Sequence, residues 1–479
     1  MNEKAGDSFA VVALGGSAGA LAAYQAFFKA LDEKLGEDGT ADIAFLVIPH
    51  LSPDHESMMA EILQSATRLP VQSITGDTAI RAGHVHVLLP GQTLDVRDGR
   101  LLPKDRAAGA AHHPVDDIFT ALAQDVGART IAAVLSGTGA NGSAGLAAVR
   151  EQNGLVLAQT PETAEFPEMP QNAIQTGLVD AIRSPAEMAG LIVRYAANGH
   201  GGRGDIALRD HSATGDESDD LSSGGQRQLS AVINAIRSET GLDFTPYKNG
   251  TLQRRIERRV QLSGGAFEDY VARLDGDPEE VRALADDLLI SVTGFFRDPP
   301  AWDVLLERAV RPIIQSDQGD VVRAWVAGCA SGEEAYSLAI LLREEMEAQG
   351  RHGRVEVFAT DISEAAVARA RQGVYPAAAV QALSEQRLHR YFHREGDTVR
   401  VRPELRESVV FAAQNLLQDP PFARMDLVVC RNVLIYLRPE FQRRLIRLFH
   451  FSLRPGGYLF LGNVESISGE TGLFEAIDK

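Results

Sequence analysis

VVRAWVAGCASGEEAYSLAILL (residues 321–342) is a β-branched apolar run, a turn of small residues, and then an apolar helix that opens on two glutamates. A continuous apolar run ended by glycine reads as a buried strand of a parallel sheet. A strand, a glycine turn and a helix in that order begin a doubly wound α/β unit. The same grammar occurs near the start, in FAVVALGGSAGALAAYQAFF (9–28), where Leu21, Tyr24, Phe28 and Leu31 fall at helical spacing. Around these two anchors lie further strand-like runs: ADIAFLVIP, HVHVLLP, TIAAVLSG and GLVLAQ in the first half, VEVFATD, MDLVVCR and GYLFLG in the second. The fold class is therefore α/β, with two parallel-sheet domains.

The chain has 479 residues, more than one hydrophobic core accommodates. The expected domains are a parallel-sheet α/β domain over 8–197, a linker over 198–226, a small all-helical domain over 227–300, and a Rossmann-like domain over 301–479. The linker NGHGGRGDIALRDHSATGDESDDLSSGGQ has no aromatic residue and too little apolar surface to offset its ordering entropy. QLSAVINAIRSET, NGTLQRRIERRVQLS, AFEDYVARLD and PEEVRALADDLLI predict four helices. YFHREGDTVRVRPELRESVVFAAQ is β-rich and off-pattern, so a small antiparallel insertion is expected there. LFEAIDK closes the sequence without a capping signal, and further C-terminal domains are expected in the full-length protein.

A net charge of −18 argues against nucleic acid as a partner. No apolar run reaches ~18 residues, which argues against a membrane span. Cys329 and Cys430 stand alone without metal-ligand spacing, so no metal site is expected, and a reducing, cytoplasmic location is.

Two strand-end loops carry candidate chemistry. Ser17 lies in G-x-S-x-G, residues 15–19, on a strand-to-helix turn that exposes its hydroxyl. His50 ends the next strand as a candidate base, and a third loop, GTGANG (137–142), follows another strand. The plainer alternative is a packing turn. The order serine, histidine, third member differs from that of the α/β-hydrolases. In the second half, Glu333 and Glu334 open a helix where they would repel a pyrophosphate but suit a ligand bearing a sulfonium and an amino group. Asp361 ends VEVFATD, placed to accept from ribose hydroxyls, and Asn415 and Arg431-Asn432 follow later strands. Here the alternative is an ordinary turn and cap.

The segments LGGSAGA, VIPHLSPDHESMMAEIL, VHVLLPGQTL, LSGTGANGSAGLAAVREQNGLVLAQTPETAEFPEMPQNAI and TGLVD resemble the catalytic domain of the chemotaxis protein-glutamate methylesterases (CheB), over residues 8–196. The resemblance implies Ser17 as nucleophile and His50 as base. It also implies an aspartate in the third loop, where this chain has Asn141. A neutral amide orients the imidazole without offsetting its charge and can select the wrong tautomer. In serine proteases the same change costs about 10⁴ in kcat. A severely weakened or inactive esterase is expected, or else a harmless asparagine in a domain kept for binding. Asp116 and Asp117 are the nearest acidic candidates to compensate, and are expected instead to be a helix N-terminal charge and a surface residue.

LLISVTGFFRDP, AWVAGCASGEEAYSLA, VFATDIS, FAAQNLL, MDLVVCRNVLIYL and PGGYLFLGNVES resemble the chemotaxis receptor methyltransferases (CheR), over 227–479. That resemblance implies S-adenosyl-L-methionine (SAM) as cofactor and S-adenosyl-L-homocysteine as product. It implies a cofactor site of Thr293, Arg297, Glu333, Asp361, Asn415, Leu416, Arg431 and Asn432, with Ser291 where the family usually has asparagine. Arg297 is also the candidate to hold the acceptor carboxylate, the alternative being a structural ion pair. Tyr436 is expected in the core. Arg254, Arg255, Arg258 and Arg259 fall on neighbouring turns of one helix. They form either a solvated face or, as the resemblance implies, a contact for an acidic chemoreceptor helix. The implied function is methylation of glutamate side chains on a chemoreceptor or related signalling protein, fused to a weakened methylesterase. The alternative is a signalling scaffold whose degenerate domains bind without turnover.

Overall fold

The structure, a computed structural model, describes residues 9–35, 42–49, 58–105, 113–197, 223–263, 267–289, 292–316, 321–381, 383–396, 398–467 and 472–478. His50, Ser291 and residues 198–222 of the expected linker lie outside them. The chain divides into two compact units, one of Met1–Gly215 with Arg254–Phe267, the other of Asp216–Gln253 with Glu268–Lys479.

The first unit is built on a seven-stranded sheet. From edge to edge its strands are Ala181–Arg183, Leu155–Gln159, Thr130–Val134, Ala10–Gly16, Ile43–Pro49, Val85–Val87 and Val71–Ser73, every neighbouring pair parallel. Ala10–Gly16 and Ile43–Pro49 are buried along their whole length, as their unbroken apolar runs require. One face packs on Tyr24, Phe27, Phe28 and Leu31 of helix Ala20–Leu35, with Met188 and Ile192 of Pro185–Ala197. The other packs on Ile118, Phe119 and Leu122 of helix Pro114–Val126. Ala10–Gly16 lies between the strand that follows it and one more than a hundred residues later, so the winding reverses there. Crevices of open α/β sheets form at the carboxyl ends of such strands, which is where Ser17 stands.

A small antiparallel sheet, absent from the sequence reading, joins Thr78–Ala79, Arg100–Asp105 and Gln92–Arg97. Its hairpin turns on Asp98-Gly99, both at positive φ (50° and 68°), with Arg97 paired to Arg100. That is the two-residue turn that Asp-Gly favours.

In the second unit the helices Ser223–Thr240, Asn249–Ser263 (shared between the units), Phe267–Leu274 and Pro278–Leu288 form as the sequence predicts. A five-stranded parallel sheet follows: Val409–Ala413, Arg354–Asp361, Val321–Ala327, Met425–Cys430 and Leu453–Leu461. Its winding reverses at Val321–Ala327, so loops after that strand and after Met425–Cys430 share one crevice. The expected antiparallel insertion exists as Val374–Pro376, Thr398–Val401 and Phe392–Glu395. VVFAA does not belong to it. This segment, Val409–Ala413, is an edge strand of the main sheet with Val409 and Phe411 buried and Val410 54% exposed. That alternation imitates an antiparallel strand. No described helix is long and apolar enough to cross a membrane.

Candidate functional site

The crevice of the second unit is a cleft open to solvent, lined by Thr293, Arg297, Glu334, Asp361, Asn415, Leu416, Arg431 and Asn432 among others. The strand-end turn makes the space: Gly328 sits at φ 78°, and a Cβ there would lie 2.5 Å from Val433 Cγ2. Asp361 Oδ2 accepts from Ala330 N–H (2.8 Å) and Oδ1 from Ser363 N–H (2.9 Å). Both bonds fix the carboxylate at the strand end. Burial nevertheless pushes its pKa up, against those donors.

Arg431 forms the floor. Its guanidinium has no exposed surface and donates to Glu334 (3.0 Å), Asp298 (2.8 Å) and the Arg297 carbonyl (3.1 Å), with Phe460 and Trp302 rings 5.0 and 5.9 Å away. Burial raises the Glu334 pKa, and Arg431 opposes the rise. Glu333 points elsewhere: Ser331 Oγ donates to its carboxylate at 2.8 Å, and it is not on the cleft wall. Of the adjacent glutamates it is Glu334 that the ligand space meets.

Several cleft residues carried no signal in the sequence. Tyr436, expected in the core, lines the cleft. Asp243, Pro246 and Tyr247 supply a wall from the helical segment. They are latched by Lys248 N–H to the Tyr436 carbonyl (2.9 Å), Arg438 N–H to the Pro246 carbonyl (2.9 Å) and Arg438 to Asn249 Oδ1 (2.6 Å). Three carboxylates therefore face the cleft with two guanidiniums, one of them neutralised by Glu334 and Asp298. With the apolar Leu416, Leu417 and Leu445 beside them, these groups fit an adenosyl ligand with a cationic centre.

In the first unit, Ser17 Oγ accepts from Thr138 N–H (3.0 Å), and Ser17 N–H donates to the Ser136 carbonyl (3.0 Å). The third loop is drawn tight against the serine. A Cβ on Gly137 would stand 2.5 Å from Ser17 Oγ and closer still to Met169 Sδ, so a side chain there would have to displace the serine hydroxyl and Met169. Glu168 accepts from Gly139 N–H (2.8 Å) and Asn172 donates to the Gly139 carbonyl (2.9 Å), pinning the loop from behind. Asn141 is buried at 6% exposure; its Oδ1 accepts from Asp116 N–H (3.3 Å), while Nδ2 has no hydrogen-bond partner. Asp116 stands in the first turn of helix Pro114–Val126, as expected of a helix N-terminal charge. It is buried, Gly145 N–H donates to Oδ1 (2.8 Å), Oδ2 is unpartnered, and burial raises its pKa. Asp117 is exposed, as expected. Ser17 and Asn141 are thus on neighbouring loops, with His50 outside the described residues.

Of the four arginines, Arg255 and Arg258 are buried and Arg254 and Arg259 half-buried; Arg258 pairs with Asp180 inside the first unit. No group of histidine, cysteine, aspartate and glutamate able to hold a metal exists among the described residues.

Comparison with known proteins bears on both units. Residues 12–192 match the CheB methylesterase family, 227–289 the all-alpha domain of CheR methyltransferase, and 291–479 its SAM binding domain. An uncharacterized 104.1 kDa protein of Rhodobacter capsulatus is 37% identical over 85% of this chain; the chain spans 44% of that protein's length. The chemotaxis protein methyltransferase of Listeria innocua is 37% identical over 48% of this chain and 87% of its own. The Thermotoga maritima CheB methylesterase catalytic domain aligns over 39% of this chain and 98% of its own, at 22% identity and a TM-score of 0.35. The cofactor of the second unit is S-adenosyl-L-methionine. The chain belongs to the chemotaxis protein methyltransferase family, with its CheR part joined behind a CheB methylesterase domain in one polypeptide.

Proposed function

We propose that the second unit methylates glutamate side chains of a chemoreceptor or related signalling protein, and that the first unit is a crippled esterase for the same modification. The observation that carries the first part is the cleft: Asp361, Glu334, Asn415, Asn432, Thr293 and Arg297 converge on one space walled by Leu416. When bound there, the cofactor supplies a methyl group on a sulfonium. A glutamate carboxylate is already an anionic nucleophile, so the residues of the chain need only bind, orient and exclude water. Asp361 and Glu334 are the anions suited to a cationic ligand, and Asn415 and Asn432 supply neutral donors and acceptors. Arg297 is the group we assign to the acceptor carboxylate. Ser291 keeps a hydroxyl where the family usually has an amide. The test is transfer of radiolabel from methyl-labelled SAM to a chemoreceptor cytoplasmic fragment by the full chain. Label on receptor glutamates is the expected result; no label, with SAM bound, would leave a binding scaffold in its place.

The esterase reading rests on Asn141. Its Oδ1 is committed to Asp116 N–H, so it is the donor Nδ2 that remains for the base, His50 by resemblance. An imidazole accepting from Nδ2 at one nitrogen carries its proton on the other, facing Ser17, and cannot take the serine proton. Receptor docking by the arginine helix is proposed for Arg254 and Arg259, the two with exposed surface.

A further inference from the structure

Strands Met425–Cys430 and Leu453–Leu461 are parallel neighbours, and the loops leaving them meet on one side chain. The Glu465 carboxylate accepts four backbone N–H groups. Asn432 (2.9 Å) and Gly462 (2.7 Å) reach Oε2, while Val433 (2.8 Å) and Leu434 (2.7 Å) reach Oε1. Asn432 stands at φ 58°, and Val433 follows at φ −111°, ψ −46°. A left-handed residue followed by a right-handed one turns successive N–H groups to the same side, the concavity in which many proteins hold a phosphate or other anion. This chain fills that concavity with its own carboxylate.

Two effects follow. Asn432 and Val433 are cleft-wall residues, and the left-handed turn that asparagine tolerates still needs partners to hold it in one place. Four charge-assisted bonds do so here. The strand-end donors that would otherwise attract an anionic ligand are also cancelled, which leaves the charge of the cleft to Asp243, Asp361 and the Glu334–Arg431 pair on one side and Arg297 on the other. We propose that Glu465 is a positioning residue and internal counter-ion, which fixes the 431–434 segment against the cofactor and makes the cleft select a sulfonium ligand over anionic nucleotides. The proposal rests on the SAM site described above.

The test is calorimetric titration of the full chain with SAM. Glu465→Ala should bind SAM about tenfold or more weakly. Added formate should restore part of that affinity, and inorganic phosphate should compete with SAM in the variant, neither occurring in wild type. Glu465→Gln keeps the bulk but sets an NH₂ against two N–H donors. It should lose as much affinity with no recovery by formate, and it decides alone if the alanine variant does not fold. SAM affinity equal to wild type in either folded variant overturns the proposal. So does an alanine variant whose deficit responds to neither formate nor phosphate. A variant that merely lowers the folded fraction would titrate fewer sites at unchanged Kd, which also overturns it. Failure of wild type to bind SAM would strike the cofactor site itself, not Glu465.

Discussion

Both units wind a parallel sheet around a first strand that ends in a glycine turn, yet their strand-end loops are neutralised in opposite ways. In the second unit each carboxylate lining the crevice has a donor: Asp361 two backbone N–H groups, Glu334 the Arg431 guanidinium and Asp243 the Thr245 N–H, while Glu465 behind the wall takes four N–H groups. In the first, the loop beside Ser17 offers an amide with an idle donor, Nδ2 of Asn141, and a buried carboxylate, Asp116, with an idle acceptor. If the esterase reading proposed above holds, a strand-end loop can keep its shape while losing its charge logic. The Ser17, Thr138 and Gly137 contacts are all intact.

The comparison can be broken or sharpened experimentally. The largest effect is expected from Asn141→Asp, which replaces the idle donor with an acceptor. Methanol release from a methylated receptor should rise by up to about 10⁴. A rise below severalfold would refute the proposal that Asn141 cripples the esterase.

Next comes acid stability. His86 is fully buried, Gln72 and Arg81 N–H contact its ring, and burial, with His84 and Arg81, pushes its pKa down to about 4 from 6.5. The fold therefore refuses a proton that the unfolded chain accepts. Stability of the first unit is full above pH ~6.5 and falls progressively toward pH ~4, by up to about 3 kcal/mol. Asp116, with its raised pKa, has the opposite sign: its carboxyl favours the fold at low pH and less so as pH rises through its folded value. Comparing wild type with His86→Gln in chemical unfolding at stepped pH isolates the histidine. Parallel slopes in the two proteins would refute its role.

Asp361→Asn should weaken SAM binding by roughly 10–100-fold. Because burial raises the pKa of Asp361 and Glu334, wild-type affinity for the cationic ligand should tighten as pH rises through their titration, and less so in the variant. Calorimetry across pH reads both. The smallest effect, a severalfold loss of receptor methylation with SAM affinity unchanged, is expected when Arg254 and Arg259 are reversed to glutamate; methylation equal to wild type would remove the docking surface.

How far the sequence could be read depended on how local each signal was. The buried strands and the four helices of 223–288 were legible because apolar period alone separates them. The hairpin of Gln92–Arg97 and Arg100–Asp105 was passed over because its strands are short and charged, although Asp98-Gly99 marked its turn. Val409–Ala413 was misplaced because a half-exposed edge strand of a parallel sheet alternates like an antiparallel one. At the site, Asp361, Asn415 and Arg431 were legible from their strand-end places. Tyr247 and Asp243 were not, since they reach the cleft from a helical segment more than a hundred residues upstream. Glu333 and Glu334 are adjacent, and only the Arg431 pairing distinguishes which one turns inward. Tyr436 reads as core because it lies in the apolar run VLIYL, residues 433–437, whose Leu434 and Leu437 are indeed buried.

The Arg431 floor has a consequence for turnover. A guanidinium plane bonded at once to a helix start, a loop carbonyl and Asp298 leaves the base of the cleft no second arrangement to relax into. Loading and unloading should then proceed through the mouth past a stationary base, and an inhibitor would gain little from chasing an alternative shape of this floor. A flat cation sized to the opening is the better mimic.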